Sequence, residues 1–212
     1  MIAVIDYGSG NLPSIRRALE AAGAETIVTP DPDLIREADA VVLPGVGHAG
    51  YSMRRLRELG IDRAVLDAVG AGKPFLGICV GMQVMFGDQE EGGAVGLGLL
   101  RGRVRSLGSA LKVPHMGWNR SRIERSGPAG DAGSEAFYYF VHSYVAEPDD
   151  ETDVAATGAY GERFPSIVVR DNVWGTQFHP EKSGGDGLAL IARFVGQLSE
   201  AQRRRIPAGA AR

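Results

Sequence analysis

Roughly the first 90 residues alternate short apolar runs with amphipathic stretches, and no other feature restricts the fold of this chain more. "IAVID" (2–6), "TIVT" (26–29), "AVVLP" (40–44) and "PFLGI" (74–78) are apolar runs closed by turns, the pattern of strands buried on both faces. After the first run, Leu12, Ile15, Leu19 and Ala22 recur at helical spacing, with Pro13 suited to a first turn and Gly23 to an end. Residues 52–72 predict one or two further amphipathic helices, and "VGMQVMF" (80–86) opens another. Strands alternating with helices imply right-handed βαβ units. The expected fold class is α/β in three layers, a mostly parallel central sheet flanked by helices.

From about Val95 the pattern changes. "LGLLRGRVRSL", "FYYFVHSYVA", "TDVAATGAY", "SIVVRD" and "VWGTQFH" are strand-like and separated by Gly, Pro and Asp turns, which predicts additional antiparallel strands in the second half. Residues 124–136 read as a polar loop. A last helix is expected after "EKSGGDG", with Leu188, Ile191, Ala192, Val195 and Leu198 on one face. No repeat or linker divides the chain, so residues 1–200 are expected to form one domain and 201–212 a frayed tail. A composition 44% hydrophobic and 23% charged suits one such core.

A net charge of -3 gives no footprint for nucleic acid or an anionic membrane. The N-terminus has no basic leader, and no apolar run approaches the ~20 residues that span a bilayer. A cytoplasmic protein is the expectation.

In parallel sheets, ligand sites lie beyond the carboxyl ends of the strands. "DYGSGN", "PGVG" and "GICVG" all follow strands on that edge, and the last holds the only cysteine, Cys79. A lone cysteine is most often an inert core residue. Here, however, G-x-C-x-G is the thiol form of the nucleophile elbow, in which a sharp strand-to-helix turn holds the nucleophile above the sheet. A helix starting at Val80 would aim free N–H groups at the sulfur, favouring the thiolate and a developing oxyanion.

A thiol nucleophile needs a base. Of His48, His115, His142 and His179, only His179 ends a strand-like run with an acid two residues on. Pro180 favours an extended His179, and residues i and i+2 of extended chain point the same way. Glu181 is therefore set to orient the imidazole, completing a nucleophile–base–orienter set. One cysteine excludes an internal disulfide, and four scattered histidines build no Cys-rich zinc site, so no metal is expected.

"GVGHAG" (45–50) formally matches G-x-G-x-x-G, but the next strand ends at the elbow and not at a ribose-binding acid. A Gly-rich turn lending backbone N–H groups to an oxyanion beside Cys79 is the better use. "GSGN" fails the fingerprint because Pro13 takes the third glycine position. Trp118, between Gly117 and Asn119, reads as a surface anchor.

"PFLGICVGMQ" and "GTQFHPEKS" together resemble the triad, class I glutamine amidotransferases, in which Cys, His and Glu hydrolyse glutamine to glutamate and ammonia. "DYGSGNLPSIRRAL", "KVPHMGWN" and "YFVHSY" narrow the resemblance to the glutaminase subunits of imidazole glycerol phosphate synthase, over residues 2 to about 198. The resemblance implies a flavodoxin-like fold without cofactor. It implies Cys79 as nucleophile, His179 as base and then acid, and Glu181 as its orienter. Backbone N–H groups of Val80 and of Val46 or Gly47 would form the oxyanion hole. Gln83, His142, Ser143 and Tyr144 would hold glutamine, and Asn11 and Trp118 would meet the partner. That partner would be a (β/α)8-barrel cyclase subunit, receiving ammonia in a heterodimer and gating a glutaminase nearly silent on its own. Two positions depart from the family pattern: Val80 replaces the usual Leu, and Ala49 stands where an aromatic is common.

Three other readings compete: a glutaminase of another pathway, a stand-alone cysteine hydrolase on a similar sheet, and a non-catalytic interaction module. "KVPHMGWN" weighs against the first, and the intact Cys79, His179 and Glu181 against the last.

Overall fold

The computed structural model describes residues 1–108 and 111–205. Strands β1 (Ile2–Ile5), β2 (Thr26–Thr29), β3 (Ala40–Leu43) and β4 (Phe75–Ile78) alternate with helices α1 (Leu12–Ala21), α2 (Pro32–Glu37), α3 (Ala49–Glu58) and α4 (Ile61–Gly70). β1, β3 and β4 are buried at every position, as expected of strands covered on both faces. The region expected to hold one or two helices holds two, separated at Gly60, which takes φ +69°. α2 is an element that the apolar pattern does not announce; Asp31 caps it through its side chain and Pro32 opens it.

The helix after the elbow, α5 (Val80–Gln83), is a single turn, shorter than the apolar pattern predicts. Phe86 instead begins a strand, β5 (Phe86–Gln89), and Gln89 Nε2 donates to the carbonyls of Gln83 and Phe86 at the break. Short apolar runs do not separate helix from strand by periodicity alone, and here a polar amide in the next segment takes the carbonyls.

The second half supplies β6 (Leu100–Ser106), β7 (His115–Ile123), β8 (Glu135–His142), β9 (Tyr144–Pro148), β10 (Val154–Tyr160), β11 (Glu162–Arg170) and β12 (Val173–Thr176). The main sheet runs β2-β1-β3-β4-β12-β11-β10-β7-β8. Its first five strands are parallel and the remaining four antiparallel. β5, β6 and β9 form a separate small sheet. β7 is a strand that the sequence pattern does not predict.

The last strand, β12, returns to the parallel half and lies beside β4, pairing Thr176 with Ile78. Residues following β4 and β12 therefore emerge side by side at the carboxyl edge. Helix α6 (Gly184–Arg205) buries Leu190, Ile191, Phe194 and Leu198. Only Ile191 and Leu198 of the expected face are among these, while Leu188 is exposed, because the helix begins at Gly184 and is rotated relative to the predicted stripe. The part of the expected tail at 206–212 lies outside the described residues.

Candidate active site

Cys79 sits between β4 and α5 at φ +55°, a left-handed conformation that costs a non-glycine residue about 1–3 kcal/mol. Its N–H donates to the Thr176 carbonyl at 2.7 Å, tying the elbow to β12. The two glycines of the motif are required by close approach. A Cβ on Gly81 would lie 1.9 Å from the Leu43 carbonyl oxygen, and one on Gly77 would lie 2.6 Å from the Gly81 oxygen.

His179 follows β12 in extended conformation, buried with Glu181. Nδ1 of His179 lies 2.9 Å from Glu181 Oε1, so Nδ1–H donates to the carboxylate and Nε2 is the free nitrogen. Nε2 is buried and, among the described residues, has no hydrogen-bond partner other than the Cys79 sulfur that it faces. The His179 N–H donates to the Tyr139 carbonyl, and Ser183 Oγ donates to the His179 carbonyl while accepting from the Tyr139 N–H. Burial pulls the imidazole pKa down, but the neighbouring Cys79 sulfur and the Glu181 carboxylate outweigh it and lift the value to about 9.

A cavity of about 260 Å³ opens on Cys79 and His179, lined also by Val46, Gly47, Val80, Gln83, His142, Ser143 and Tyr144. Among the described residues no acceptor claims the Val80 N–H. The Val46 N–H is engaged: it donates to Ser9 Oγ at 3.3 Å, and Ser9 Oγ donates to the Val46 carbonyl at 2.9 Å. Of the two expected donors in that turn, Val46 is thus bonded away from the sulfur. Gln83 Nε2 donates to the carbonyl of Tyr144 and to Gln177 Oε1, leaving Gln83 Oε1 as the atom to meet a ligand.

His142 is held by a directional chain. Its Nδ1 must donate to the Tyr144 carbonyl, so its Nε2 accepts from His115 Nδ1, and His115 Nε2 accepts from Asn119 Nδ2. Both rings are neutral in this arrangement. Burial pushes His115 down to about 4 and His142 down to about 3.

Three lining residues escape sequence reasoning: Glu91, Pro114 and Val141. Glu91 accepts from the Ala49 N–H at 2.6 Å, anchoring the start of α3 beside the cavity. Ser9 and Gln177 escape it as well. His48 caps α3, accepting from the Gly50 N–H, and does not line the cavity. Asn11, at the start of α1, and Trp118, exposed on β7 against Tyr139, do not line the cavity. Met116, Trp118 and Phe137 together expose an apolar strip on β7 and β8. Among the described residues no cluster of three or more His, Cys, Asp or Glu could hold a metal ion, and no helix is long and apolar enough to cross a membrane.

A thiol on an elbow, facing a buried His–Glu pair at the carboxyl edge of a parallel sheet, has the makings of a thioester-forming hydrolase. The model of the glutamine amidotransferase class-I family matches residues 3–198. The imidazole glycerol phosphate synthase subunit HisH of Geobacillus thermodenitrificans is 49% identical over 203 residues, covering 92% of this chain and 95% of that protein. The subunit of the same name from Bacillus subtilis is 44% identical, covering 94% and 98%. The solved structure of PurLQS from Thermotoga maritima has a TM-score of 0.74 at 20% identity, covering 93% of this chain and 98% of the other, a likeness of fold. The chain belongs to the class-I glutamine amidotransferases. Within that family it falls with the HisH subunits of imidazole glycerol phosphate synthase, in histidine biosynthesis.

Proposed function

We propose that this protein hydrolyses glutamine at Cys79 and passes the ammonia to a cyclase subunit. One observation carries the chemistry: the buried His179–Glu181 pair, 2.9 Å apart, leaves Nε2 as its only free nitrogen, on the cavity that also holds Cys79. The thiol proton resides on Nε2, the ion pair that the raised His179 pKa favours, and the Sγ thiolate attacks the side-chain amide carbon. The oxyanion is met by the backbone N–H of Val80 and by one from the 45–48 turn, each such donor being worth ~3 kcal/mol in the transition state. As the C–N bond breaks, His179 gives its proton to the leaving ammonia and a thioester remains. Nε2 then deprotonates a water that attacks the thioester, releasing glutamate and restoring the thiol.

Substrate recognition follows from the lining. Of the lining residues, Glu91 and Gln83 Oε1 are the acceptors for the amino group of glutamine, and backbone groups of Gly47, His142, Ser143 and Tyr144 grip its amino acid end. The partner is a (β/α)8-barrel cyclase that docks over Asn11 and Trp118, using the apolar strip of Met116, Trp118 and Phe137. There the ammonia reacts with a phosphoribulosyl formimino carboxamide nucleotide to give imidazole glycerol phosphate and an aminoimidazole carboxamide ribotide. The reaction takes place in the cytoplasm. The Ser9 bonds to Val46 support a gated site, since partner binding must free a donor in that turn.

The test is glutamate release by the purified protein, first by itself and then with the cyclase and its nucleotide ligand. Strong stimulation in the full mixture, abolished by Cys79→Ser, is the expected result. Activity indifferent to the cyclase would overturn the partner assignment while keeping the chemistry; activity surviving Cys79→Ser would overturn the chemistry.

A further inference from the structure

Gln177 is fully buried on the turn after β12, directly beyond the pairing of Thr176 with Ile78 and hence level with Cys79. A buried primary amide is costly unless its polar atoms are paired. Both ends of this one are. Its Oε1 accepts from Gln83 Nε2 at 3.1 Å, and its Nε2 lies 3.9 Å from Cys79 Sγ.

The direction of that second contact is determined by its neighbours. Gln83 Nε2 also reaches the Tyr144 carbonyl at 3.2 Å, an acceptor only, so the nitrogen end of Gln83 faces that way. Gln83 therefore donates to Gln177, and Gln177 must present oxygen to Gln83 and N–H to sulfur. The thiol has a different partner when protonated: the Val141 carbonyl, 3.8 Å from Sγ, can only accept. Once the proton leaves, that carbonyl no longer helps, whereas the Gln177 N–H bond strengthens, because a donor bonds an anion better than a neutral acceptor.

We propose that Gln177 is a positioning residue of the nucleophile, donating an N–H to the Cys79 thiolate from an amide locked in orientation by Gln83. This rests on reading Cys79 as the nucleophile. Gln177 does not line the cavity, so it acts on the sulfur and not on glutamine.

Alkylation by iodoacetamide tests this without substrate, because the chain has one thiol and all bound label reports Cys79. Other titratable groups around the sulfur are His179 after β12, His142 at the end of β8, Tyr7 after β1 and the Glu181 carboxylate behind His179. All are kept in the variants. Gln177→Met removes the donor at similar size, and Gln177→Glu keeps the acceptor for Gln83 while replacing the donor with negative charge. Losing a hydrogen bond to a charged group predicts that Gln177→Met moves the pH profile of alkylation upward, by about a factor of ten in the thiol–thiolate balance. Gln177→Glu should move it further. In the complex, glutaminase kcat should fall with KM nearly unchanged.

Unmoved alkylation profiles in both variants, whatever their melting temperatures, would overturn the proposal and leave Gln177 as core packing. Glutaminase activity of the complex that survives Cys79→Ser would overturn the nucleophile reading as well, so the two failures are distinguishable.

Discussion

The two walls of the cavity are built differently. On one side Cys79, Gln83 and His179, with Gln177 behind them, are buried and bonded into the sheet edge, and the elbow is pinned between Leu43, Thr176 and Met85. On the other, Pro44 and Gly45 are buried but Val46, Gly47 and His48 face solvent, held by one serine hydroxyl and the Glu91 anchor of α3. The reacting atoms thus sit on the rigid wall and the expected oxyanion donors of the turn on the soft one. Such a division makes the attack ready in advance while leaving charge stabilisation adjustable.

The strongest way to break this contrast is to add one methyl to each wall. Gly81→Ala puts a Cβ 1.9 Å from a backbone oxygen with no side chain to yield, so the elbow must move; a loss of several kcal/mol or failure to fold is expected. Gly47→Ala meets nothing within 4 Å and bears only the strain of φ +89°, about 1–2 kcal/mol. Urea unfolding of both compares them directly, and equal losses would mean that the walls do not differ in stiffness.

Next in size is the base. Glu181→Gln keeps the volume but removes the charge that holds Nδ1–H and stabilises the imidazolium. A drop in glutaminase kcat on the order of a thousandfold is expected, with little change in KM. A fall below tenfold would show that His179 needs no orienter.

Much of the rigid wall is legible in the sequence, because its signals are local. G-I-C-V-G marks the elbow, and the two-residue period of extended chain links His179 to Glu181. The same period carried two residues back reaches Gln177, a polar residue inside an apolar run, a signal that the triad pattern alone does not use. Long-range pairing is not legible. The contact of His115 with His142 depends on the register of β7 against β8, and Glu91 reaches the cavity through a short helical turn at Glu91–Gly93 folding against α3. The β1–β4 alternation comes through because burial on both faces leaves an uninterrupted apolar run. α5 and α6 differ from expectation at their boundaries, where side-chain amides and helix rotation decide, not hydrophobic period.

The histidine pair extends the contrast to pH. His115 and His142 are held below the unfolded value, so the unfolded chain binds more protons between about pH 6.5 and 4, and stability falls as pH falls through that window. His179 has the opposite sign: its contribution is complete below pH 6.5 and is lost as pH rises through about 9. Between pH 7.5 and 5 the pair loses more than His179 gains, for a net loss on the order of 2 kcal/mol. His115→Phe should flatten the acid limb of a plot of urea midpoint against pH. A wild-type midpoint that holds to pH 5 would contradict the neutral, buried pair.

The smallest effect is expected on the soft wall, where it tests the gate most directly. Ser9 Oγ both accepts from the Val46 N–H and donates to its carbonyl, so one hydroxyl opposes rotation of that turn. A net hydrogen-bond contribution of about 1 kcal/mol corresponds to roughly fivefold in the balance between held and released turns. Ser9→Ala should therefore raise glutaminase activity without partner by up to about fivefold. The fully stimulated rate should not change, since the partner has already released the turn in that state, so the stimulation ratio falls by the factor the basal rate gains. A variant whose basal and stimulated rates fall together would instead make Ser9 a support of the active turn, and the softness of this wall would then serve substrate entry and not control.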